Sequence, residues 1–356
     1  MRRIIPRGIE QLLPSISRSA PDRMAEHHTM YKNSYLILVA VNKYSDNRFS
    51  SLETAISDAE KIASSFATYG FKVYKRLYDN FATKLSVLNC FDEFREYIKY
   101  DTGPSRLICY FGCHGYEDKQ IGPNGTSTKV PYFAFSNTNL NHPLSTALRM
   151  KELTIVSSSL RIIHQCYIID SCHSGQILFR TRGCSLTSDL MKKQSCVALC
   201  SARSDQSALE DSNGSIMVQA ICETILSPDL FNTTILPDRN YITLESLVDI
   251  IREKTSAKAF KHSSSQVVVH GSLLPANEGS MLLFHDEREI MYQNVPKDIR
   301  PVTRRTRSYT DTEPGYCSYR RKTLGDKIEK PKKNRYYTEY KIEEDFSSQP
   351  FFPFFK

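Results

Sequence analysis

The chain has 356 residues, of which 40% are hydrophobic and 24% charged, which permits a globular core and argues against global disorder. The net charge of +8 comes from the ends, because residues 1–30 carry 5 basic and 3 acidic residues and residues 291–356 carry 15 and 9. The longest apolar run, from Tyr35 to Val41, is too short to span a bilayer. We expect one large domain over residues 31–290, between a disordered N-terminal arm and a disordered, basic, tyrosine-rich tail.

Cysteine usage indicates a reducing compartment, so we expect a cytoplasmic protein. The ten cysteines show no regular spacing, and several fall inside apolar runs, where cysteine acts as a small hydrophobic residue. No Cys-x-x-Cys pair supports a zinc site. The basic tail favours a solvated segment over a contact with nucleic acid or anionic lipid, although a tether of that kind stays an open alternative.

Alternating strand and helix patterns follow one another along the chain. The predicted strands cover 35–41, 71–77, 106–111, 165–170, 196–200, 265–270 and 281–285. The predicted helices cover 52–68, 83–100, 146–160, 214–226 and 243–258. Residues 116–141 are predicted to form a long loop with one short strand at 132–135. Strands and helices that alternate at these lengths predict a mostly parallel sheet flanked by helices.

Two of these strands end in residues that could carry chemistry. The strand at 106–111 is followed by Gly112-Cys113-His114-Gly115, and the strand at 165–170 runs into Asp170-Ser171-Cys172-His173-Ser174-Gly175. If the strands are neighbours, His114 and Cys172 reach the same crevice, since open α/β sheets bind ligands at the carboxyl ends of their strands. A thiolate attacks a carbonyl, and an imidazole activates the thiol and protonates the leaving amine. Backbone N–H groups of Gly115 and Cys172 would stabilise the oxyanion.

These motifs resemble those of the caspase-like cysteine peptidases (peptidase C14), in particular the metacaspase branch, which often reads Tyr-Ser-Gly-His-Gly and Asp-x-Cys-His-Ser-Gly. Further similarity lies in Leu52-Glu-Thr-Ala-Ile-Ser-Asp58-Ala and in the segment from Ser201 to Glu210. The resemblance covers residues 33–285. It implies an α/β/α sandwich with a large-subunit-like part at 31–180 and a small-subunit-like part at 195–290.

The resemblance also implies roles for individual residues. Cys172 would be the nucleophile and His114 the base. Asp58 and Asp170 match the acids that line the primary pocket of metacaspases, which would favour cleavage after Arg or Lys because a desolvated cation needs an anionic partner. Ser201 and Gln206 belong to the segment that shapes the substrate-binding loop. Protein or peptide substrates follow from these roles, and the basic residues Arg180, Arg182, Lys192 and Lys193 become candidate self-cleavage sites.

Two departures from the family pattern matter for function. Gly112-Cys113 stands where the family usually has Ser-Gly, and we expect Cys113 to serve packing. The loop after Gly115 offers only Glu117 and Asp118 as acids, whereas a calcium ion needs about six oxygen ligands. The motifs require no metal or organic cofactor, and calcium activation stays open as the disfavoured alternative. These departures support an alternative hypothesis, in which the domain is a catalytically silent scaffold or signalling partner.

Overall fold

The computed structural model describes residues 31–121, 124–172, 174–178, 193–203, 208–231, 241–274, 279–285 and 287. The predictions for the N-terminal arm and the tail lie outside these residues, as do those for Gln206 and the candidate cleavage sites Arg180, Arg182 and Lys192. The division into large-subunit-like and small-subunit-like parts stays a prediction.

The helices and strands follow one another in this order: β1 (Asn33–Ala40), α1 (Ala55–Ala67), β2 (Lys72–Tyr78), α2 (Lys84–Tyr97), β3 (Ser105–Gly112), β4 (Gly115–Ile121), β5 (Ser127–Phe133), α3 (Pro143–Thr146), β6 (Leu148–Arg149), α4 (Glu152–Ser158), β7 (His164–Asp170), β8 (Ser195–Cys200), β9 (Glu210–Asp211), β10 (Gly214–Ser215), α5 (Ile216–Ile225), β11 (Tyr241–Thr243), α6 (Leu244–Lys261), β12 (Val269–Ser272) and β13 (Leu282–Phe284). Short 3₁₀ helices follow β2, α2 and the β7 turn, at Asp79–Phe81, Ile98–Tyr100 and Ser174–Ile177.

A six-stranded sheet forms the centre of the domain, in the order β12-β8-β7-β3-β1-β2. β12 runs antiparallel to β8, and the other neighbouring pairs are parallel. Each face of the sheet is covered, because α1, α5 and α6 contribute to the buried cluster on one side and α2 and α4 to the cluster on the other. The predicted helix-flanked, mostly parallel sheet is thereby confirmed.

The alternation of side chains along the central strands explains the two layers. Leu36 and Leu38 of β1 join the cluster under α1, whereas Ile37 and Val39 join the cluster under α2, as the two-residue period of a strand requires. Helix α1 buries one face along its length and stops just before Gly70, whose φ of +76° suits a residue without a side chain.

Two sequence predictions were wrong in this region. Residues 116–141, predicted as a loop, contain a hairpin of β4 and β5, in which partners from Gly115 with Phe133 to Ile121 with Ser127 face each other. The helix predicted at 146–160 is confined to α4, because Leu148 and Arg149 instead pair with β5 and Met150 donates its backbone N–H to Pro131. In both cases pairing with another strand determines the conformation, and the residue pattern of one segment does not predict the strand with which it pairs.

The opposite edge of the sheet, at the amino ends of its strands, is held by a buried arginine. Arg106 is fully buried, and its guanidinium lies 4.4 Å from the ring centroids of both Tyr31 and Phe71. It pairs with Glu287 at 2.9 Å and donates to the backbone carbonyl of Tyr69 at 3.0 Å. This network fastens the last described residues of the domain to β3. Within the described parts of the chain, no helix combines the length and apolar character needed to cross a membrane.

Candidate active site

The two motif turns lie side by side at the carboxyl edge of the sheet. Strands β3 and β7 are parallel neighbours, and Gly112 at the end of one is paired with Asp170 at the end of the other. A Cβ atom placed on Gly115 would lie 2.2 Å from the backbone oxygen of Cys172 and 2.5 Å from Oγ of Ser171. The turns are therefore in direct contact, and the strands are neighbours, which was the condition for the two motifs to share one crevice.

The loop between β1 and α1 surrounds the imidazole of His114. The Nε2–H group donates to the backbone carbonyl of Ser50 at 2.8 Å, and the Tyr44 hydroxyl accepts from the backbone N–H of His114 at 2.8 Å. The ring stacks on Phe49, with centroids 5.7 Å apart and planes inclined by 23°. These contacts hold the ring in one orientation at the edge of the sheet.

This environment fixes the protonation state of the imidazole. Burial lowers the pKa of His114 to about 4, with the Ser50 carbonyl opposing the shift, so the ring is neutral at pH 7. A neutral ring that donates from Nε2 carries its lone pair on Nδ1. His114 thus offers Nδ1 as the nitrogen that accepts a proton, and its Ser50 contact is the orienting partner that a base of this kind needs.

The two cysteines near His114 lie on opposite faces of the sheet. Cys172 is 3% exposed and belongs to the cluster under α1, whereas Cys113 is fully buried in the cluster under α2, with Phe111 and Phe133. Burial raises the pKa of the Cys113 thiol well above its ordinary value. Cys113 therefore packs, as expected, and it stays a protonated thiol at neutral pH.

The two acids predicted to line a pocket meet next to the Cys172 turn. Asp58 accepts the backbone N–H of Ser215 at 2.8 Å, and the Asp58 and Asp170 carboxyls are close enough for each to influence the other electrostatically. Burial raises the pKa of Asp170 to about 7; the Asp58 and Glu210 charges add to the shift, and the Ser215 and Ser201 hydroxyls oppose it. Among the described residues, Oδ1 of Asp170 has no hydrogen-bond partner, which marks it as a group ready to accept a donor.

Ser201, which precedes the segment predicted to shape the substrate loop, is hydrogen-bonded to the Cys172 turn. Its hydroxyl accepts the backbone N–H of Ser171 at 3.1 Å. The Gln266 side chain donates to the Ser201 carbonyl at 2.8 Å and accepts the backbone N–H of Leu209 at 3.0 Å. Gln266 therefore bridges both ends of the 204–207 segment, which contains Gln206 and lies outside the described residues.

Several of these supporting residues were not predicted from the sequence. Tyr44, Phe49 and Ser50 carry no motif, and Ser50 contributes only a carbonyl, so nothing in their side-chain chemistry singles them out. Ser215 and Gln266 stand in apolar or β-rich stretches, where a polar residue is a usable signal, because a buried polar group requires a partner. Over the described parts of the chain, no group of three or more His, Cys, Asp or Glu residues could hold a metal ion.

Comparison with known proteins shows the family to which the chain belongs. A family model for the caspase domain, within peptidase C14, matches residues 34–270. No curated protein matches the chain. Among solved structures, the chain is similar to caspase-1 from Spodoptera frugiperda, at 13% identity and a TM-score of 0.45 over 70% of this chain and 92% of that one. It is also similar to the Drosophila initiator caspase Dronc, at 12% identity and a TM-score of 0.44 over 69% of this chain and 81% of that one.

The family model spans well over half of the 356 residues and includes both motif turns, α1 and the strands β1, β3, β7 and β8. The chain therefore belongs to the caspase-domain family of peptidases.

Proposed function

We propose that the protein is a cysteine endopeptidase that hydrolyses peptide bonds after Arg or Lys, with Cys172 as nucleophile and His114 as general base. The observation that carries the proposal is the contact between the two motif turns, together with a His114 ring oriented by Ser50 so that Nδ1 accepts the proton. A silent domain has no need of an oriented neutral imidazole beside a cysteine turn.

The reaction follows from the chemistry of these groups. Nδ1 of His114 takes the proton of the Cys172 thiol, and the thiolate adds to the carbonyl carbon of the scissile bond. Backbone N–H groups of Gly115 and Cys172 receive the negative charge that develops on the carbonyl oxygen. The tetrahedral intermediate collapses to a thioester as His114 returns the proton to the leaving amine. His114 then activates water, which hydrolyses the thioester and releases the carboxylate product.

The preference for a basic residue rests on Asp170 and Asp58. Both acids are buried beside the nucleophile turn, and a guanidinium or ammonium group from the substrate would supply the donor that Oδ1 of Asp170 lacks. Two acids in this position support the metacaspase-type reading, since they match the acids of that branch. Catalysis by this dyad involves no metal, and Glu117, one of the two acids after Gly115, is already paired with Lys129 at 2.6 Å.

The burial of the dyad favours the second reading, in which the domain is a catalytically silent scaffold or signalling partner. His114 and Cys172 are each 3% exposed, so a substrate carbonyl reaches them only after the site opens. An experiment must therefore include a way to open it, and limited proteolysis of the purified protein provides one.

The test is cleavage of fluorogenic peptides that end in Arg, Lys or Asp, with and without calcium and before and after limited proteolysis. We expect cleavage after Arg and Lys that falls at least about a thousandfold in Cys172→Ala. Cys113→Ala is the matched control, because it removes a buried thiol beside His114 on the opposite face of the sheet and should retain most activity. Cleavage after Asp would reject the proposed pocket, and silence of the folded protein under every condition would favour the scaffold.

A further inference from the structure

The two pocket acids differ in how fully they are already bonded. Asp58 accepts three donors, which are Nζ of Lys61 at 2.7 Å on Oδ1, the backbone N–H of Ser215 at 2.8 Å and the Thr54 hydroxyl at 3.0 Å on Oδ2. Asp170 is 1% exposed; its Oδ2 accepts from the Tyr110 hydroxyl at 3.4 Å, and its Oδ1 has no partner among the described residues. Once the site opens, a substrate cation would thus find an unbonded oxygen on Asp170, whereas both oxygens of Asp58 are already bonded.

The occupying group is itself a cation of the type that the pocket would bind. Lys61 lies one turn beyond Asp58 on α1, and its ammonium also donates to the backbone carbonyl of Asn213, which precedes β10. Its side chain is 40% exposed, whereas the Asp58 carboxylate is 1% exposed. The ammonium can therefore withdraw into water without opening the core, which a fully buried partner could not do.

A third carboxylate completes the cluster. The Thr54 hydroxyl lies 3.1 Å from Oε2 of Glu210 as well as 3.0 Å from Asp58, and the Glu210 charge also acts on Asp170. Three acids thus act on one another at short range, and Lys61 reduces the negative charge that they present. The charge that Lys61 cancels is charge that a substrate cation would otherwise experience.

We propose that Lys61 is an internal counter-ion that occupies the Asp58 side of the primary specificity pocket and weakens the binding of a substrate Arg or Lys side chain, which Asp170 contacts directly. The inference rests on the proposed function, because it assigns the pocket of that same site. The proposal gives different roles to two acids that the sequence analysis did not distinguish. Asp58 binds Lys61 and the backbone of β10, and Asp170 binds the substrate side chain.

The test measures cation binding independently of catalysis. Agmatine, which carries a guanidinium group like that of an arginine side chain, is titrated by calorimetry at pH 8.5 into the protein, Lys61→Gln and Lys61→Ala. Each protein is titrated before and after limited proteolysis, because Asp58 and Asp170 are buried. We expect both variants to bind agmatine about tenfold more tightly, which corresponds to one cation removed from close range. Lys61→Gln keeps an amide donor for Asp58, so a loss of folding in Lys61→Ala alone leaves the experiment decisive.

The matched control is Lys99→Gln, because Lys99 forms an ion pair of the same i, i+3 spacing with Glu96, at 3.3 Å, on another helix surface. It should leave agmatine binding unchanged. Adding Asp170→Asn to Lys61→Gln should abolish the gain, whereas a gain that survives this change would overturn the assignment of Asp170 as the contact. Agmatine affinity that is unchanged in Lys61→Gln, or absent from both proteins, would overturn the inference.

Peptide cleavage separates this inference from the proposed function. In an active enzyme, Lys61→Gln should lower KM for Arg and Lys peptides with kcat nearly unchanged, because the change alters binding and leaves the reacting groups intact. If Lys61→Gln binds agmatine more tightly while no peptide is cleaved by either protein, the proposed peptidase fails and the counter-ion assignment stands.

Discussion

The contact between the two motif turns can be tested by a single methyl group. In Gly115→Ala the new Cβ would lie 2.2 Å from the carbonyl oxygen of Cys172, 2.5 Å from Oγ of Ser171 and 3.1 Å from Cε of Met150. A methionine methyl group can move aside, but a backbone carbonyl cannot do so alone. Because carbon and oxygen atoms normally approach to about 3.3 Å, the two turns must separate by about 1 Å.

The expected effect on activity follows from this displacement. A misplacement of about 1 Å between reacting groups costs about a hundredfold in rate, so kcat/KM for Arg peptides should fall by about that factor. Overpacking costs about 1–3 kcal/mol of unfolding free energy. In a domain of this size each kcal/mol lowers Tm by about 2–4 °C, so the variant should still be folded at 25 °C.

The measurement combines peptide cleavage with the rate at which iodoacetamide alkylates Cys172, followed by peptide mass spectrometry. Gly125→Ala is the control, since Gly125 has a φ of +70° in the turn between β4 and β5 and open space around the position of its Cβ. It should cost some stability through backbone strain and leave both rates unchanged. Activity of Gly115→Ala within twofold of the parent, at equal folding, would contradict the direct contact on which the site is built.

Two further predictions concern buried charges. The folded-state pKa of Asp170, about 7, lies above the ordinary aspartate value of about 3.9, so this group adds stability that is complete below about pH 4 and lost as the pH rises through 7. Asp170→Asn should therefore gain stability relative to the parent between pH 4.5 and 8, by about 4 kcal/mol at most, in urea unfolding; a difference that does not change with pH would contradict this origin of the shift. Arg106→Met should cost about 3–5 kcal/mol in the same assay, because it leaves Glu287 and buried carbonyls without their donor. Lys75→Met, which breaks an exposed pair with Glu93, should change little, and equal costs for the two variants would refute the role given to Arg106.

Local patterns in the sequence were sufficient for most of the central layer of the fold. Predicted strands of five to seven residues matched β1, β3, β7 and β8 to within two residues, because strands covered on both faces must be apolar on both sides, whereas β12 begins four residues later than predicted. Because the motifs follow β3 and β7 immediately, the sequence also predicted that His114 and Cys172 reach one crevice if those strands are neighbours, and the pairing of β3 with β7 fulfils that condition.

The hairpin of β4 and β5 was missed for a physical reason. Its residues Glu117 to Gln120 are polar and lack the alternation of a half-buried strand, so only the backbone bonds to β5 make this segment a strand. The same partner shortens the helix predicted at 146–160, because β6 completes that sheet. Strand pairing depends on two segments of the chain, and the residue pattern of one segment does not show which other segment pairs with it.

The properties of the candidate site can be divided in the same way, into those that the sequence determined and those that the tertiary structure determined. Residue types and spacing determined which groups could carry chemistry, namely the thiol, the imidazole and the acids Asp58 and Asp170. The tertiary structure decided that Nε2 of His114 bonds to the Ser50 carbonyl, which leaves the lone pair on Nδ1, and that Asp58 is paired with Lys61. It also brought Asp58 to Ser215, 157 positions away along the chain. A sequence specifies the chemistry that each side chain can perform. Its protonation state, bonding partners and burial depend on its environment, which forms only when distant segments of the chain pack together.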